Sequence, residues 1–284
     1  MKILRSKDEM AAQLAIWKQD GQRIGIVPTM GNLHAGHVSL LDTLTGQADK
    51  IITTIYVNPP QFAQGEDFDI YPRTNEADFA KLRDAGSCDA VFLPEQMYKS
   101  GHATTISPSG VALGYEAETR PHFFTGVATI VVKLFQHVPA DYAIFGEKDF
   151  QQLAVLRQMV GDLDVPILLI GHPTVRESDG LALSSRNHYL SAEQRAIAPL
   201  LYQTLGKIAA EILAGADIQQ SLDKAKRQLL AGGFTKIDYL DLRDATTLAP
   251  SLSAKGDNRL FVAAWLGETR LIDNCVIGSH ADTI

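Results

Sequence analysis

The chain has 284 residues, a formal net charge of −7 and 45% hydrophobic residues. This length suits one large domain or two, with enough apolar residues for a full core. The negative charge argues against a broad basic surface for nucleic acid. The sequence has two distant cysteines, no apolar run typical of a signal peptide and no stretch of about 20 apolar residues. We therefore expect a cytoplasmic protein without a disulfide framework or a membrane span.

The first part of the chain alternates helix and strand patterns. A capping box at Ser6 and Glu9 begins a first helix. Apolar runs predict strands at 24–27, 50–57, 89–94, 104–107, 141–145 and 165–170. Helical spacing predicts helices after residue 34 and at 76–85, 124–137 and 150–160. This alternation is typical of an α/β domain with a parallel sheet and helices on both of its faces.

The pattern changes after Pro173. A second capping box begins a long helix at 191–213, a further helix follows at 218–230, and strands are predicted at 237–242, 259–265 and 269–273. Two helices followed by three strands indicate a smaller α+β domain. We divide the chain into domains at 1–174 and 175–284. Arg186 then lies near the hinge, where closure of the second domain could bring it to a ligand.

The segment after the strand at 24–27 is the first candidate site. Turn residues lead into a helix whose first turn carries His34 and His37. A helix start offers unpaired N–H groups and a partial positive charge, which suits phosphate. The two imidazoles share one face and can donate hydrogen bonds to phosphate oxygens. Gly31 and Gly36 allow a bulky anion to approach the backbone.

Two simpler interpretations of this segment remain open at this point. Two histidines can fall at a helix start without forming a site, and they can also be two ligands of a zinc ion. A zinc site needs a third ligand, and neither Cys88 nor Cys275 has metal-ligand spacing. Because ligands bind at the carboxyl ends of parallel strands, the loops that carry His34 and Gln61 should converge.

Four segments together resemble one enzyme family. They are 28–37, 56–62, 145–153 and 180–187, and they are joined by 263–267 and 270–274 near the end of the chain. In this order they resemble the pantoate–β-alanine ligases, within the HIGH-motif nucleotidylyltransferase superfamily. The resemblance runs over nearly the whole chain. It implies a Rossmann-like parallel-sheet domain, a smaller C-terminal α+β lid domain and a homodimer.

The resemblance also implies a reaction. Members of the family condense (R)-pantoate with β-alanine, using ATP and Mg²⁺, and release pantothenate, AMP and pyrophosphate through a pantoyl adenylate. The chemistry agrees with the motifs, because a carboxylate becomes a good acyl donor only when AMP is its leaving group. Charge builds on the phosphoryl oxygens, so positioning and positive charge carry most of the catalysis. A lid would keep water away from the mixed anhydride.

Individual residues match the family's site. Those expected to act in catalysis are His34, His37, Lys148 and Arg186, with His37 as the proton donor. Those expected to bind ATP are Met30, Gly31, Asn32, Leu33, His34, Ala35, Gly36, His37, Gly146, Glu147, Lys148, Asp149, Val175, Leu183, Ser184, Ser185 and Arg186. Gln61 and Gln152 are expected to bind pantoate, since amides donate to a carboxylate and accept from hydroxyls. Asn58 and Tyr71 match positions near the substrates, and Asp149 matches a ribose or Mg²⁺ contact.

Each match has a structural alternative. Lys148 and Asp149 can be a charge pair at a helix start, Gln61 can cap a loop, and Ser184 and Ser185 can be turn residues. The chain also departs from the family at residues 121–124, where the family's histidine falls on Phe123. Two other functions share the histidine motif: nucleotidyl transfer to a phosphorylated acceptor, and non-catalytic nucleotide binding. An aminoacyl-tRNA synthetase is disfavoured by the acidity and by the absence of a long anticodon-binding region.

Overall fold

The computed structural model describes residues 1–63, 65–66 and 68–277, and the chain divides into two compact units. The first unit comprises residues 1–147 and 151–173, and the second comprises residues 148–150 together with the chain from residue 174 onward. This division lies close to the domain boundary expected after residue 174. It differs in assigning 148–150, which carries two of the predicted ATP-binding residues, to the C-terminal unit.

Within the described residues, the first unit contains a six-stranded sheet in the order β1-β4-β3-β2-β5-β6. Its strands are β1 (Lys2–Leu4), β2 (Ile24–Thr29), β3 (Lys50–Ile55), β4 (Ala90–Phe92), β5 (Tyr142–Gly146) and β6 (Leu168–His172). Every pairing between them is parallel. The predicted parallel sheet is confirmed, and the carboxyl ends of its strands lie at one edge.

Helices cover both faces of this sheet. They are α1 (Lys7–Gln19), α2 (Ala35–Leu44), α3 (Asn75–Ala85), α4 (Glu116–Thr119), α5 (Phe123–His137) and α6 (Phe150–Asp162). Ile26 of β2 packs in a core with α1, α5 and α6, whereas its neighbour Val27 packs in a core with α2 and α3. In β4, Phe92 likewise packs in the core with α1, α5 and α6, whereas Val91 packs in the core with α2 and α3. Successive strand side chains point to opposite faces, so this alternation confirms the predicted two-sided packing.

The second unit is the predicted α+β arrangement. Its helices and strands are α7 (Ala192–Ile197), α8 (Leu200–Leu213), α9 (Ile218–Ala231), β7 (Lys236–Asp244), β8 (Asn258–Leu266) and β9 (Thr269–Ile277). Over the part of the chain that the structure describes, its strands form a three-stranded antiparallel sheet in the order β7-β8-β9. Leu205 of α8, Leu229 of α9 and Val262 of β8 share one buried core, so the two helices cover one face of this sheet.

Two predicted elements are wrong. The segment 104–107 pairs with no strand among the described residues. The Ile106 N–H instead donates to Thr129 Oγ1 of α5 at 2.9 Å. The side-chain pattern of a segment does not show whether its backbone N–H groups bind a neighbouring strand or a side chain, so the sequence could not exclude a strand here. The long helix predicted at 191–213 is divided into α7 and α8. Pro199 lies between them, where its missing N–H interrupts the helical hydrogen bonds.

Several strand boundaries also differ from the predictions. β2 continues through Pro28, which was predicted to begin the turn. β3 ends at Ile55 rather than at Val57, and β6 begins at Leu168 rather than at Val165. β1 was not predicted, because a strand of three residues is too short to show a periodicity. β9 extends to Ile277, beyond the predicted end at Asp273. The remaining predicted helices and strands agree with the structure to within about two residues at each end.

A tight turn connects β2 to α2, and a buried carboxylate holds it. Gly31 has φ +82° and Asn32 has φ +50°, so the backbone is left-handed at both positions. Asp78 of α3, which is fully buried, accepts hydrogen bonds from the N–H of Asn32 at 2.9 Å and of Leu33 at 2.8 Å. A Cβ at Gly31 would lie 3.1 Å from Ile55 and 3.2 Å from the Asp78 carboxylate. Asp78 therefore sets the backbone that leads to the two histidines.

We expect Asp78→Ala to lower the free energy of unfolding by about 2–5 kcal/mol, because the N–H groups of Asn32 and Leu33, the second of them buried, lose a charged acceptor. Chemical denaturation measures this change. The matched control is Asp84→Ala on the exposed side of the same helix, which should change stability by less than about 0.5 kcal/mol. Equal effects of the two substitutions would contradict the role given to the Asp78 carboxylate.

His172 connects the end of β6 to α2. Its Nε2 lies 3.1 Å from Ser39 Oγ and its Nδ1 lies 2.8 Å from Thr43 Oγ1. A neutral imidazole offers one donor and one acceptor to these hydroxyls, which can serve either role. Burial lowers the pKa of His172, against a smaller opposing effect of the Glu147 and Asp42 carboxylates. The neutral ring is therefore the form that suits this contact.

This shift of the His172 pKa predicts an acid-dependent loss of stability. Because the pKa is lower in the folded protein than in the unfolded chain, stability is complete above about pH 6.5 and declines as the pH falls below that value. His172→Gln should make the free energy of unfolding less dependent on pH between 7 and 5. Denaturation curves at several pH values provide the measurement, with exposed His102→Gln as the control. An unchanged pH dependence in His172→Gln would refute the prediction.

Candidate active site

The loops that follow β2 and β3 meet at the carboxyl edge of the parallel sheet. Gln61, in the short 3₁₀ helix Pro59–Gln61, has its Nε2 atom 2.9 Å from Met30 Sδ. Met30 follows β2 directly and precedes the turn held by Asp78. The expected convergence of these two loops is therefore observed, and the amide of Gln61 lies beside the first residue of the predicted ATP segment.

His34 and His37 form a compact pair at the start of α2. His34 is the N-cap residue, and its backbone N–H donates to His37 Nδ1 at 3.3 Å. The two ring centroids are 4.0 Å apart. With Nδ1 as the acceptor, a neutral His37 carries its proton on Nε2, the nitrogen that can donate to a ligand. The local backbone thus selects both the orientation and the tautomer of this side chain.

Asn58 orients Gln61. Asn58 is 1% exposed, and its Nδ2 donates to Gln61 Oε1 at 3.1 Å and to the Gly126 carbonyl at 3.2 Å. Its Oδ1 accepts from the Tyr98 hydroxyl at 2.7 Å. Burial raises the pKa of Tyr98, so this hydroxyl keeps the proton that it donates. Both ends of the Asn58 amide are thus engaged within the protein.

Two residues of the α4–α5 region hold the backbone of Gln61. A Cβ at Gly126 of α5 would lie 2.5 Å from the Pro60 carbonyl oxygen and 2.7 Å from Gln61 N, so only glycine allows this approach. Arg120 donates through Nη2 to the Gln61 carbonyl at 3.1 Å. The same guanidinium makes two hydrogen bonds with Glu66, at 2.6 and 2.9 Å. Motif spacing did not reveal the role of either residue, because each acts through a contact distant in sequence.

The departure at residues 121–124 has a structural explanation. Phe123 is 9% exposed, and its ring lies under the Arg120 guanidinium at 4.0 Å from the centroid. It also contacts Phe124, with ring centroids 5.0 Å apart. His122, by contrast, is exposed at the start of α5. At the position of the family's histidine, this chain therefore has an aromatic ring that packs against Arg120.

Adjacent glutamines at the start of α6 have different environments. Gln151 is 6% exposed, accepts from the Glu116 N–H at 3.2 Å and donates to the Val111 carbonyl at 3.1 Å. It therefore holds the 111–116 loop. Gln152, the residue expected to bind pantoate, is half-buried and follows it in the helix, so it points in a different direction.

Tyr71, expected near the substrates, is 5% exposed and packs in an aromatic cluster. Its ring contacts Phe62 with centroids 5.7 Å apart, and Phe62 contacts Phe68 at 5.4 Å. The guanidinium of Arg73 lies 5.4 Å from the centroid of the Phe68 ring. This cluster orders the loop that follows Gln61, so the structure gives Tyr71 a packing role.

The predicted ATP segment after β5 forms a 3₁₀ turn, Glu147–Asp149, that begins just after Gly146. Lys148 Nζ is 4.0 Å from Asp149 Oδ2. The Lys148 side chain is 19% exposed and that of Asp149 is 45% exposed. Gly146 and Glu147 belong to the first unit, whereas Lys148 and Asp149 belong to the second.

The remaining predicted ATP residues lie in a loop of the second unit. The Leu183 N–H donates to the Val175 carbonyl at 2.9 Å, and Arg176 pairs with Ala182, so this loop closes on itself. Ser184 Oγ accepts from the Arg186 N–H at 3.2 Å and caps the 3₁₀ helix Ser185–Tyr189. Ser184 therefore has the turn role considered from the sequence, and it presents Ser185 and Arg186 at the start of that short helix.

Neither a metal cluster nor a membrane-crossing helix is found among the described residues. The searched residues contain no group of three or more His, Cys, Asp or Glu side chains that could hold a metal ion. No described helix has the length and hydropathy needed to cross a bilayer.

Comparisons with known proteins agree with this arrangement of motifs. Residues 2–276 match the family model described as Pantoate-beta-alanine ligase. A pantothenate synthetase from Rhodospirillum rubrum is 52% identical over 275 residues, which cover 96% of this chain and 97% of that protein.

Solved structures of pantothenate synthetases are also similar to this chain. A pantothenate synthetase from Thermus thermophilus has a TM-score of 0.92 and 40% identity, with 98% of this chain and 99% of that chain covered. A pantoate-beta-alanine ligase from Francisella tularensis, in complex with beta-gamma ATP and beta-alanine, has a TM-score of 0.81 and 33% identity, with 97% of each chain covered. The chain therefore belongs to the pantoate-beta-alanine ligase family and is an enzyme that joins pantoate to β-alanine.

Proposed function

We propose that this chain performs the ligation in two steps, using the residues at the carboxyl edge of its parallel sheet and the loops of its second unit. In the first step a pantoate carboxylate oxygen attacks the α-phosphorus of ATP, which forms pantoyl adenylate and releases pyrophosphate. In the second step the β-alanine amine attacks the acyl carbon, loses a proton, and displaces AMP. The contact between Gln61 and Met30, which lies in the loop that leads to the histidine pair, is the observation that carries this proposal.

The start of α2 is suited to the triphosphate. A helix N-terminus carries a partial positive charge and backbone N–H groups directed along its axis, and both favour an anion. His37, oriented through Nδ1, can donate from Nε2 to a phosphoryl oxygen as negative charge builds in the first step. His34 lies 4.0 Å away, centroid to centroid, and can add a second donor. The energetic contribution of these donors is therefore largest in the transition state.

Gln61 is suited to the pantoate carboxylate. Its Nε2 now lies against the thioether of Met30, which is a weak acceptor, so a carboxylate would be a better partner for the same donor. Asn58 holds Oε1 and thereby keeps Nε2 directed toward Met30. Gln152 supplies the second amide in this proposal, because its neighbour Gln151 is engaged with the 111–116 loop.

The second unit would supply further contacts to ATP. Lys148 and Arg186 offer positive charge, and Ser184 and Ser185 offer hydroxyl and backbone donors to the phosphates. The Val175 carbonyl accepts from Leu183, and its second lone pair can accept from the adenine amino group. Closure of this unit over the nucleotide, as a lid, would keep water from the acyl adenylate.

Mg²⁺, a homodimer and a cytoplasmic location complete the proposal. The first two rest on the sequence resemblance, and the third rests on the cysteine content and the apolar pattern of the sequence. Magnesium is commonly held by one or two carboxylates together with substrate phosphates and water. The Asp149 side chain, which is 45% exposed, can supply such a carboxylate. Because no larger ligand cluster occurs among the described residues, the ion would take most of its ligands from ATP and water.

A product assay tests the proposed reaction directly. The enzyme is incubated with ATP, Mg²⁺, pantoate and β-alanine, and each acid is omitted in turn. We expect equal amounts of AMP and pantothenate in the complete mixture and neither product without pantoate. Chromatography would instead detect a nucleotidylated product if the chain transferred a nucleotidyl group to an acceptor, and bound ATP without pyrophosphate release would indicate a nucleotide-binding regulator.

We expect His37→Ala and Lys148→Ala each to lower kcat by at least about 100-fold, because each removes a donor aimed at charge that develops in the transition state. Steady-state assays of pyrophosphate release provide the measurement. His102→Ala and Lys18→Ala, at exposed positions, are the matched controls and should retain normal turnover. Full activity in His37→Ala or Lys148→Ala would reject the role of that residue.

We expect Gln61→Glu to raise the KM for pantoate at least about tenfold, while the KM for ATP changes by less than about twofold. The substitution keeps the shape and the Oε1 acceptor for Asn58 but replaces the Nε2 donor by a carboxylate oxygen, which repels an anionic substrate. Initial-rate measurements at varied pantoate give the result. Exposed Gln47→Glu is the control, and an unchanged pantoate KM in Gln61→Glu would oppose the assignment.

A further inference from the structure

Two adjacent residues of β9, Asp273 and Asn274, belong to a segment that resembles the family but has no role in the mechanism above. They are 4% and 3% exposed, respectively. Asp273 lies opposite Val262 and Asn274 lies opposite Phe261 in the pairing of β9 with β8. Because successive side chains of a strand point to opposite faces, the two polar groups contact different parts of the second unit.

Asn274 binds the backbone of the predicted phosphate-binding lysine. Its Nδ2 donates to the Lys148 carbonyl at 3.0 Å, and its Oδ1 accepts from Arg259 Nη1. The Arg259 guanidinium lies over the Phe150 ring, 4.0 Å from the centroid. The Phe261 and Phe150 rings are also in contact, with centroids 5.8 Å apart. Residues of β8 and β9 thus hold the 148–150 segment at both of its ends.

Asp273 binds the loop that carries the other predicted ATP residues. Its carboxylate accepts two hydrogen bonds from Arg176, at 2.7 and 2.9 Å. Arg176 lies over the Tyr202 ring of α8 at 3.4 Å from the centroid and donates to the Gly180 carbonyl at 3.2 Å. Since Arg176 follows Val175 and pairs with Ala182, the ion pair with Asp273 connects the base of this loop to β9.

We propose that Asp273 and Asn274 are positioning residues that hold the two ATP-binding segments of the second unit from opposite faces of one strand. Asn274 sets the backbone from which Lys148 extends, and Asp273 sets the loop from Val175 to Leu183. This inference rests on the proposed contacts of Lys148 and Val175 with ATP. A strand residue suits this task because β9 is paired with β8 from Thr269 to Ile277, which leaves its side chains little freedom.

Asn274→Asp tests the first half of the proposal. The substitution keeps the size of the side chain and an oxygen for Arg259, but it puts a carboxylate oxygen against the Lys148 carbonyl, so the lysine backbone must move. A small misplacement of a catalytic group can cost up to about 100-fold in rate, and we expect kcat to fall about tenfold. The control is Asn258→Asp, at a residue that is also 3% exposed and whose Nδ2 donates to the carbonyls of Ser253 and Lys255.

A double-mutant cycle distinguishes positioning from a general loss of stability. If Asn274 acts through Lys148, adding Asn274→Asp to Lys148→Ala should cause no further decrease in kcat. A tenfold further decrease would overturn the inference, as would an equal effect of Asn258→Asp. If Lys148→Ala alone has full activity, it is the proposed function of Lys148 that fails. If Lys148→Ala is impaired and Asn274→Asp is not, only the inference fails.

Asp273→Asn tests the second half. It should weaken the ion pair with Arg176 and raise the KM for ATP about tenfold, with a smaller change in kcat, because Arg176 adjoins Val175, whose proposed contact with adenine contributes to ATP binding. Asp238→Asn is the matched control, since Asp238 accepts from Arg270 at 2.7 Å in the same sheet and its side chain is 3% exposed. An unchanged ATP KM in Asp273→Asn, or an equal rise in Asp238→Asn, would overturn this half.

Discussion

The common direction of the strands in the first sheet is the constraint on which the site depends. Because these strands are parallel, their carboxyl ends lie at one edge, and the loops that follow β2 and β3 must meet there. A meeting of loops is not yet a site, because a loop can adopt many backbone conformations. The buried Asp78 carboxylate removes that freedom by binding two consecutive N–H groups between β2 and α2. The result is a helix start at which the imidazole of His37 has one orientation.

Buried polar residues orient the more accessible groups throughout the molecule. Asn58 orients Gln61, Asp78 holds the turn before His34, and Asn274 binds the Lys148 carbonyl. The physical reason is the same in each case. A buried polar atom that loses its partner is costly, so such contacts are kept with little variation in geometry. Buried polar partners of this kind therefore indicate how a site is held in place, while the accessible groups indicate what it binds.

At residues 121–124, where the sequence departs from the family pattern, packing and hydrogen bonds fix the backbone near Gln61. Arg120 donates hydrogen bonds to the Gln61 carbonyl and to the Glu66 carboxylate, and Phe123 packs against the Arg120 guanidinium. A flat aromatic ring can support a guanidinium by stacking, without a hydrogen bond. The backbone of Gln61 is also held by the close approach of Gly126. Two independent contacts thus maintain the position of the Gln61 backbone.

The sequence by itself determined the alternation of helices and strands, the change of architecture after Pro173, and the four motifs whose order indicates the family. These features are local or depend on residue types at short spacing, so periodicity and motif matching can find them. It did not determine the division of 191–213 at Pro199, nor that 104–107 pairs with no strand in the part of the chain that the structure describes. Only the tertiary structure revealed the contacts of Asp78, Gly126, Arg120, Asp273 and Asn274 with segments that carry predicted site residues. Their partners lie far away along the chain. Such contacts arise from tertiary packing, so they cannot be predicted from the spacing of residues within a single segment.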